Sequence, residues 1–364
     1  MKKIILILVF ILSLPNGSQM DAAQFPTRHE LESLMKEKKI PGLSMVIIEN
    51  AEIVLQLELG VKKIQAKDLV DSDTLFEAAS LSKPVFAYGI LKLIEKGQLK
   101  LDKPLAEYLP YSDIKNDERV NFITARMVLA HTSGFPNWRP KNESLKIHFQ
   151  PGERFSYSGE GFLYLQKVIE HISGLSLEDY IKKNVFIPLG MNHSTFVWVS
   201  DDRKAAGHNP DGSPIESRTE SPNAAFTLHT NALDYAKFVI AILKEIGLKS
   251  ETFKEMFQFQ VRVQEGSVNS IDKYSERLSD SISWGLGWGL QRTRIGDSFW
   301  HWGDNQGVKC FIVGFKNCNR AIIIFTNSSN GLSVISEIIQ KYLDIPQPAF
   351  EWLEAAYSLN NKKN

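Results

Sequence analysis

The sequence has little cysteine, no net charge and few histidines. Its 364 residues include two cysteines and eight histidines, and 42 Lys and Arg residues balance 42 Asp and Glu residues. This balance indicates neither a nucleic-acid-binding protein nor a polybasic membrane-binding segment. The histidines form no His-Glu-x-x-His motif or comparable cluster, so the sequence predicts neither a metallohydrolase nor a cofactor. It also contains no internal repeat and no low-complexity tract.

The two cysteines lie on one predicted β-hairpin, with strands at 308–315 and 321–326. Cys310 lies in the first strand and Cys318 in the turn. The five extended residues from Cys310 to Phe315 carry the chain about 16 Å, whereas a disulfide requires Cα atoms within about 7 Å. Both thiols are therefore predicted to be free.

The N-terminus has the pattern of a secretory signal peptide. Lys2 and Lys3 precede an apolar run at 4–14, and Pro15, Asn16 and Gly17 follow it. The run is too short to span a bilayer, and a buried helix is disfavoured because the run is apolar on every side. The sequence predicts a signal peptide at 1–22 and a periplasmic or secreted protein. Cleavage is expected near Ser18 to Ala23, and no cysteine follows the run to carry a lipid anchor.

Apolar residues make up 43% of the sequence, enough for a large core. Apolar periodicity predicts helices at 28–39, 125–130, 233–243 and 332–342, strands at 43–49, 53–59, 282–291, 298–302, 308–315 and 321–326, and a surface loop at 200–223. The expected fold is α+β, a mainly antiparallel sheet flanked by terminal helices with a large helical insertion. The expected domain covers 23–350, with a sheet lobe at 23–80 and 260–350 and a helical lobe at 81–259, followed by a C-terminal tail at 351–364.

Ser80-Leu-Ser-Lys83 lies where a short strand is predicted to turn into a helix. Apolar residues at Phe86, Ile90 and Leu93 predict an amphipathic helix that Ser80 opens and Gly97 ends. Residues three apart share a helix face, so the Lys83 amine can reach the Ser80 hydroxyl near the free amides of the first turn. A nucleophile, a base and an anion site would coincide there.

This spacing alone is weak, because Ser33, Ser112 and Ser270 each precede a lysine by three residues as well. An isolated match is more often an N-cap serine with a solvated lysine. Two further segments distinguish Ser80. A glycine-rich turn, Tyr157-Ser-Gly159, enters a predicted helix, and His301-Trp-Gly303-Asp304 ends a predicted strand. Period two puts His301 and Gly303 on one face, where glycine permits close approach of a substrate.

The segment from about Thr27 to Leu343 resembles the serine hydrolases related to class C β-lactamases and penicillin-binding D,D-peptidases. That family has Ser-x-x-Lys, Tyr-x-Asn, and Lys-Thr-Gly or His-x-Gly, in the order found here. The resemblance implies a serine β-lactamase-like fold. It also implies that Ser80 is the nucleophile, that Lys83 takes or relays its proton, and that Tyr157 exchanges protons with the nucleophile and the leaving group.

The resemblance further implies an oxyanion hole made by the Ser80 and Asp304 amides, with His301, Gly303 and Gly159 on the substrate side. Segments 129–136, which contains His131, and 187–191 also resemble the family, and we interpret them as scaffold. His131 is thus expected to be structural.

Two departures bear on specificity. Gly159 replaces the asparagine amide that binds an acylamino side chain, and His301 replaces a lysine cation near a substrate carboxylate. We therefore expect an esterase or amidase that acts on a small acyl compound. Alternatives are a β-lactamase or D-alanyl-D-alanine carboxypeptidase, which would take a lactam or peptide, and a catalytically silent binding protein.

Overall fold

The computed structural model describes residues 25–361, except 65, 67, 115, 217, 270 and 272–276. The predicted signal peptide at 1–22 lies outside the described residues. The strands are β1 Gly42–Glu49, β2 Glu52–Gly60, β3 Phe76–Glu77, β4 His229–Thr230, β5 Val261–Gln264, β6 Leu278–Trp284, β7 Gly289–Thr293, β8 Gly296–Asn305, β9 Val308–Phe315 and β10 Arg320–Thr326. The α-helices are α1 Arg28–Lys38, α2 Ser82–Glu95, α3 Ala125–Leu129, α4 Gly159–Ser173, α5 Leu177–Ile181, α6 Ile187–Leu189, α7 Ala232–Leu243, α8 Ser250–Phe257, α9 Gly331–Leu343 and α10 Pro348–Asn361.

An eight-stranded antiparallel sheet forms the centre, in the order β2-β1-β10-β9-β8-β7-β6-β5. The hairpin β1–β2 pairs through β1 with β10, so the two ends of the chain meet in adjacent strands. The helices α2 to α8 lie between the two parts of the chain that form this sheet, and β3 and β4 pair in a separate two-stranded sheet. The predicted α+β fold is confirmed.

Both faces of the sheet are covered, because its central strands carry apolar residues on alternate sides. Val46 and Ile323 belong to a core shared with the helical lobe, where α7 packs on β1 and β10. Met45 and Ile322 belong to a second core with the terminal helices α1, α9 and α10. This two-sided burial explains why β1, β9 and β10 are nearly continuous apolar runs.

The helix after Ser80 is buried all round over its first ten residues. Every residue from 82 to 91 is buried, so the predicted amphipathic helix is wrong for this part. Phe86 packs on Phe162 of α4 with ring centroids 6.0 Å apart, and the Tyr180 hydroxyl of α5 donates to the Gly89 carbonyl at 3.0 Å. The helix therefore lies inside the core between the sheet and the lobe.

Local signals predicted several helix ends correctly. Thr124 and Asn231 cap α3 and α7, each accepting a backbone N–H at the third helical position. Gly97 has φ 70° and donates to the Ile94 carbonyl at 2.8 Å, which ends α2 as expected.

Two further sequence predictions are wrong. The single strand at 282–291 is two strands, β6 and β7, because Gly285 donates to the Trp288 carbonyl at 2.8 Å and Gly287 turns the chain with φ 81°. The tail at 351–364 belongs to α10 as far as Asn361. The Trp352 indole donates to the Gln264 carbonyl at 2.7 Å, which ties α10 to the sheet.

Candidate active site

Ser80 lies in a 3-10 turn, Ala79–Leu81, between β3 and α2, and is half-buried. It does not cap α2, which begins at Ser82 with no side-chain cap. Ala79 has φ 47°, a strained conformation for a residue with a Cβ. The Ser82 hydroxyl donates to the Ala79 carbonyl at 2.6 Å and accepts the Leu228 N–H at 3.0 Å, which fixes the turn.

Lys83 meets Ser80 as the spacing predicts. Its Nζ lies 3.1 Å from the Ser80 Oγ and 2.9 Å from the Ala225 carbonyl oxygen. The side chain is 1% exposed, and this burial lowers the pKa of Lys83 well below its usual range. The arrangement favours a neutral amine, which can accept the Ser80 proton while it donates to the Ala225 carbonyl.

Tyr157 packs beside this pair, with the Lys83 Nζ 4.6 Å from its ring centroid. Its hydroxyl is buried and has no hydrogen-bond partner among the described residues. Burial raises the pKa of Tyr157, and the nearby Ser80 hydroxyl opposes that shift without reaching hydrogen-bond geometry. Burial thus moves the pKa of Lys83 toward neutral pH and the pKa of Tyr157 away from it. Lys83 is therefore the better base of the two, and Tyr157 stays a protonated phenol.

His131 contacts the Tyr157 ring and the backbone of the residues on either side of Tyr157. Its ring stacks on the Tyr157 ring with centroids 4.2 Å apart. Its carbonyl accepts the Ser156 N–H at 2.8 Å, and its Nδ1 accepts the Ser158 N–H at 3.0 Å. Because Nδ1 accepts, the proton of the neutral ring is on Nε2. Burial lowers the pKa of His131, so the ring stays neutral. These contacts agree with the expected structural role.

His301 lies deeper than the sequence predicted. Its side chain is fully buried, and its Nδ1 lies 2.8 Å from the Trp302 carbonyl oxygen. Burial, with a further contribution from Lys83, lowers the pKa of His301 to about 3. The ring is not among the residues that line the cavity at Ser80, and the substrate-side role that the resemblance implies for His301 stays a prediction. It is a neutral group whose ring centroid lies 6.1 Å from that of Tyr157, on the strand β8 that packs against the Ser80 turn.

Gly303 brings β8 against the Ser80 turn. A Cβ at this position would collide with the Ala78 carbonyl oxygen and the Cys310 Sγ, so only glycine fits. Asp304 follows and lines the cavity with Ser80. Its carboxylate contacts the Lys309 Nζ at 2.5 Å.

A cavity of about 400 Å³ opens at Ser80. Its lining includes residues that the sequence reasoning missed, namely Asn137, Trp138, Arg139, Glu160, Arg218, Glu220, Phe226 and Asn305. Three of them lie in one segment, 137–139, which reaches the site only because it packs on the start of α4. The only local signal for this segment was a tryptophan in a loop that also contains Asn and Pro, and this pattern is too common in loops to indicate a site.

The loop at 137–139 explains why position 159 is a glycine. Its φ is not in the left-handed region, but a Cβ there would lie 2.5 and 2.6 Å from the Trp138 ring and 2.9 Å from the Asn137 carbonyl oxygen. The indole thus occupies the space next to position 159 that a longer side chain would need. Gly159 does not itself line the cavity.

In the described parts of the chain, His, Cys, Asp and Glu side chains form no group of three or more able to hold a metal ion. The described helices include none that is both long and apolar enough to cross a membrane. Both cysteines are free, as predicted.

Comparisons with known proteins agree on one family. A family model described as Beta-lactamase matches residues 27–339. Penicillin-binding protein 4* of Bacillus subtilis (strain 168) is 26% identical over 327 residues, which cover 81% of this chain and 70% of that protein. Protein flp of Staphylococcus aureus (strain N315) is 27% identical over 230 residues, 56% of this chain and 46% of that protein. This chain thus spans less than half of protein flp.

Solved structures share the fold. An octameric penicillin-binding protein homologue from Pyrococcus abyssi is 25% identical with a TM-score of 0.69, covering 83% of this chain and 74% of that chain. The D-alanine carboxypeptidase AmpC from Burkholderia cenocepacia is 18% identical with a TM-score of 0.69, covering 85% and 96%, and shows likeness of fold alone. With its antiparallel sheet, its helical lobe and a family match over most of its length, this chain belongs to the β-lactamase family of penicillin-binding-protein-like hydrolases.

Proposed function

We propose that this protein is a serine hydrolase that forms an acyl-enzyme at Ser80 on uncharged esters or amides. The observation that carries the proposal is the 3.1 Å contact between the Ser80 Oγ and a fully buried Lys83 Nζ at the wall of an open cavity. A serine hydroxyl becomes an effective nucleophile when a neutral base lies within hydrogen-bond distance. Burial of Lys83 supplies such a base.

The proposed reaction has two halves. In the first, neutral Lys83 accepts the Ser80 proton as Oγ attacks the carbonyl carbon, and the developing oxyanion faces the Ser80 and Asp304 amides. The Tyr157 phenol donates its proton to the leaving group and regains one from Lys83, which completes acylation. In the second half, water attacks the acyl carbonyl carbon and passes a proton to Lys83. Lys83 then returns that proton to the Ser80 Oγ as the bond between this oxygen and the acyl carbon breaks.

Three features favour a simple ester or amide over a β-lactam. Trp138 fills the space beside Gly159 where the resemblance places an acylamino-binding amide. His301 is buried with its pKa lowered, so it brings no cation to a substrate carboxylate. The arginines on the cavity wall already form ion pairs with carboxylates. The Arg139 Nη2 lies 2.7 Å from the Glu160 Oε2, and the Arg218 Nη2 lies 3.2 Å from the Glu77 Oε2.

The direct test is labelling with a fluorophosphonate probe followed by peptide mapping. We expect covalent modification of Ser80 and loss of both labelling and ester hydrolysis in Ser80→Ala. Ser33→Ala is a matched control, because Ser33 also precedes a lysine by three residues but is exposed on α1. Labelling elsewhere with full activity in Ser80→Ala would reject the mechanism.

Acylation by penicillin is the second candidate, and it is supported by relatives named penicillin-binding proteins. A fluorescent penicillin tests it directly. Stable labelling of Ser80, with cephalosporin turnover that equals or exceeds ester turnover, would establish this alternative. We expect ester turnover to exceed cephalosporin turnover instead. A catalytically silent protein would show neither reaction and no labelling.

The proposal includes export, which depends on the sequence pattern at 1–22 alone. N-terminal sequencing of the protein recovered from periplasm or medium tests it. A mature N-terminus between Ser18 and Ala23 is expected, and retention of Met1 in the recovered protein would contradict it.

A further inference from the structure

We propose that the substrate carries an aromatic ring next to the scissile bond, and that Trp138 and Phe226 recognise this ring. The inference rests on the proposed acyl transfer at Ser80 and narrows its substrate class to uncharged aryl-bearing esters or amides. Both aromatic side chains line the same cavity as Ser80.

The two rings form a corner open to the cavity. Their centroids are 5.5 Å apart with an interplanar angle of 85°, and Trp138 is 42% exposed. A third ring can pack against such a corner through offset stacking on one member and an edge contact with the other. An exposed indole beside a nucleophile thus offers a flat apolar surface for part of a ligand.

The corner is held in place before any ligand binds. The Gly159 N–H donates to the Asn137 carbonyl and to its Oδ1, both at 3.0 Å, and the Glu160 N–H donates to the same carbonyl at 3.1 Å. Arg139 grips the Glu160 carboxylate through Nε at 2.8 Å and Nη2 at 2.7 Å. The residues on both sides of Trp138 are therefore fixed to α4. A fixed backbone at Trp138 lowers the cost of ordering this loop when a ligand binds.

The charges on the cavity wall indicate an uncharged ligand. Arg139 has both Glu160 and Asp113 as partners, Arg218 contacts Glu77, and Asp304 contacts Lys309. A carboxylate on the substrate would have to compete with these acids for a cation. A neutral aryl ester would leave every pair intact.

The test compares pairs of esters in which a flat phenyl ring is replaced by a cyclohexyl ring. Hydrolysis is measured by pH-stat, so the substrates need no chromogenic aryl group. Methyl phenylacetate is paired with methyl cyclohexylacetate, and benzyl acetate with cyclohexylmethyl acetate, which separates a ring on the acyl side from one on the alcohol side. We expect kcat/KM to favour the aryl member of at least one pair by about two- to tenfold, since aromatic pairs contribute beyond area burial.

Variants of Trp138 test whether the preference for aryl esters depends on the aromatic corner. Trp138→Ala and Trp138→Leu should bring the aryl-to-cyclohexyl ratio close to one, and Trp138→Phe should retain part of it. Phe122→Ala is the control, because Phe122 is an exposed aromatic, 63% accessible, outside the lining of the cavity. The monomethyl ester of phenylmalonic acid, which adds a carboxylate, should be hydrolysed at least about tenfold more slowly than methyl phenylacetate.

The results separate the two proposals. If methyl acetate and the other esters are hydrolysed in a Ser80-dependent way but both ratios equal one, or if the preference persists in Trp138→Ala and Trp138→Leu, the aromatic corner is refuted and the esterase stands. Faster hydrolysis of the carboxylate-bearing ester would refute the uncharged class. If no ester or aryl amide is hydrolysed and the probe does not label Ser80, both proposals fail together.

Discussion

The contact between Gly159 and Trp138 gives a prediction that can be worked from the geometry. In Gly159→Ala the new Cβ would lie 2.5 and 2.6 Å from the indole ring, about 1 Å inside ordinary van der Waals contact. Overpacking in a filled site typically costs about 1–3 kcal/mol. The indole is partly exposed and can swing toward solvent, so we expect the lower part of this range, about 1–2 kcal/mol of unfolding free energy.

Urea denaturation measures this loss of unfolding free energy, and a double-mutant cycle shows how much of it comes from the contact with the Trp138 indole. Trp138→Ala removes the contacts with the indole and leaves the 2.9 Å approach to the Asn137 carbonyl oxygen, so Gly159→Ala in that background should cost less, with a coupling of about 1 kcal/mol. Gly161→Ala on the same helix is the matched control, because its Cβ would meet the Ser133 Oγ at 3.3 Å. The control should be near neutral, because the helix favours alanine over glycine.

The same substitution should also lower the aryl preference, because a displaced indole no longer completes the corner with Phe226. Wild-type stability together with an unchanged aryl preference in Gly159→Ala would refute the reasoning. Destabilisation of the same size in the Trp138→Ala background would show that the cost does not come from the indole.

Five further outcomes are expected. Lys83→Met should lower acylation by about 10²- to 10⁴-fold in stopped-flow assays while circular dichroism stays native. In the wild type, burial lowers the pKa of Lys83, so kcat/KM should rise with pH through that lowered pKa and level off before an exposed lysine would be neutral; a profile that levels off only near pH 10 would contradict this. Tyr157→Phe should slow acylation by a similar factor with the fold retained, and a mild effect would reassign Tyr157 to packing. His131→Ala should lower kcat more than it raises KM, and His131→Asn, which can accept a backbone N–H at positive φ, should recover part of the loss; equal effects would make His131 a general packing residue. A thiol reagent should titrate half-buried Cys318 before buried Cys310 in the native protein and both in denaturant, and dithiothreitol should leave the thermal midpoint unchanged; a drop would contradict two free thiols.

Much of the fold could be predicted from local patterns. The β1–β2 hairpin, the caps at Thr124 and Asn231, and the terminal glycine of α2 depend on residues close together in sequence. The Ser80–Lys83 contact is local as well, because residues three apart on a helical turn face the same side. The periodic apolar residues Ala349, Trp352, Leu353 and Ala356 of α10 were also visible, and the tail was missed although its signal was present.

Tertiary packing decided the rest. The sequence by itself determined which residues could act as nucleophile and base, since spacing along a turn places Lys83 beside Ser80 whatever surrounds them. It could not determine that α2 would be enclosed or that His301 would be buried, because burial depends on which distant elements cover a segment. Nor could it place Trp138 against Gly159, since that contact arises only when the loop at 137–139 packs on the start of α4. The identity of the proposed catalytic pair follows from short-range geometry, whereas the charge state of its neighbours and the shape of the cavity follow from long-range contacts that no local pattern encodes.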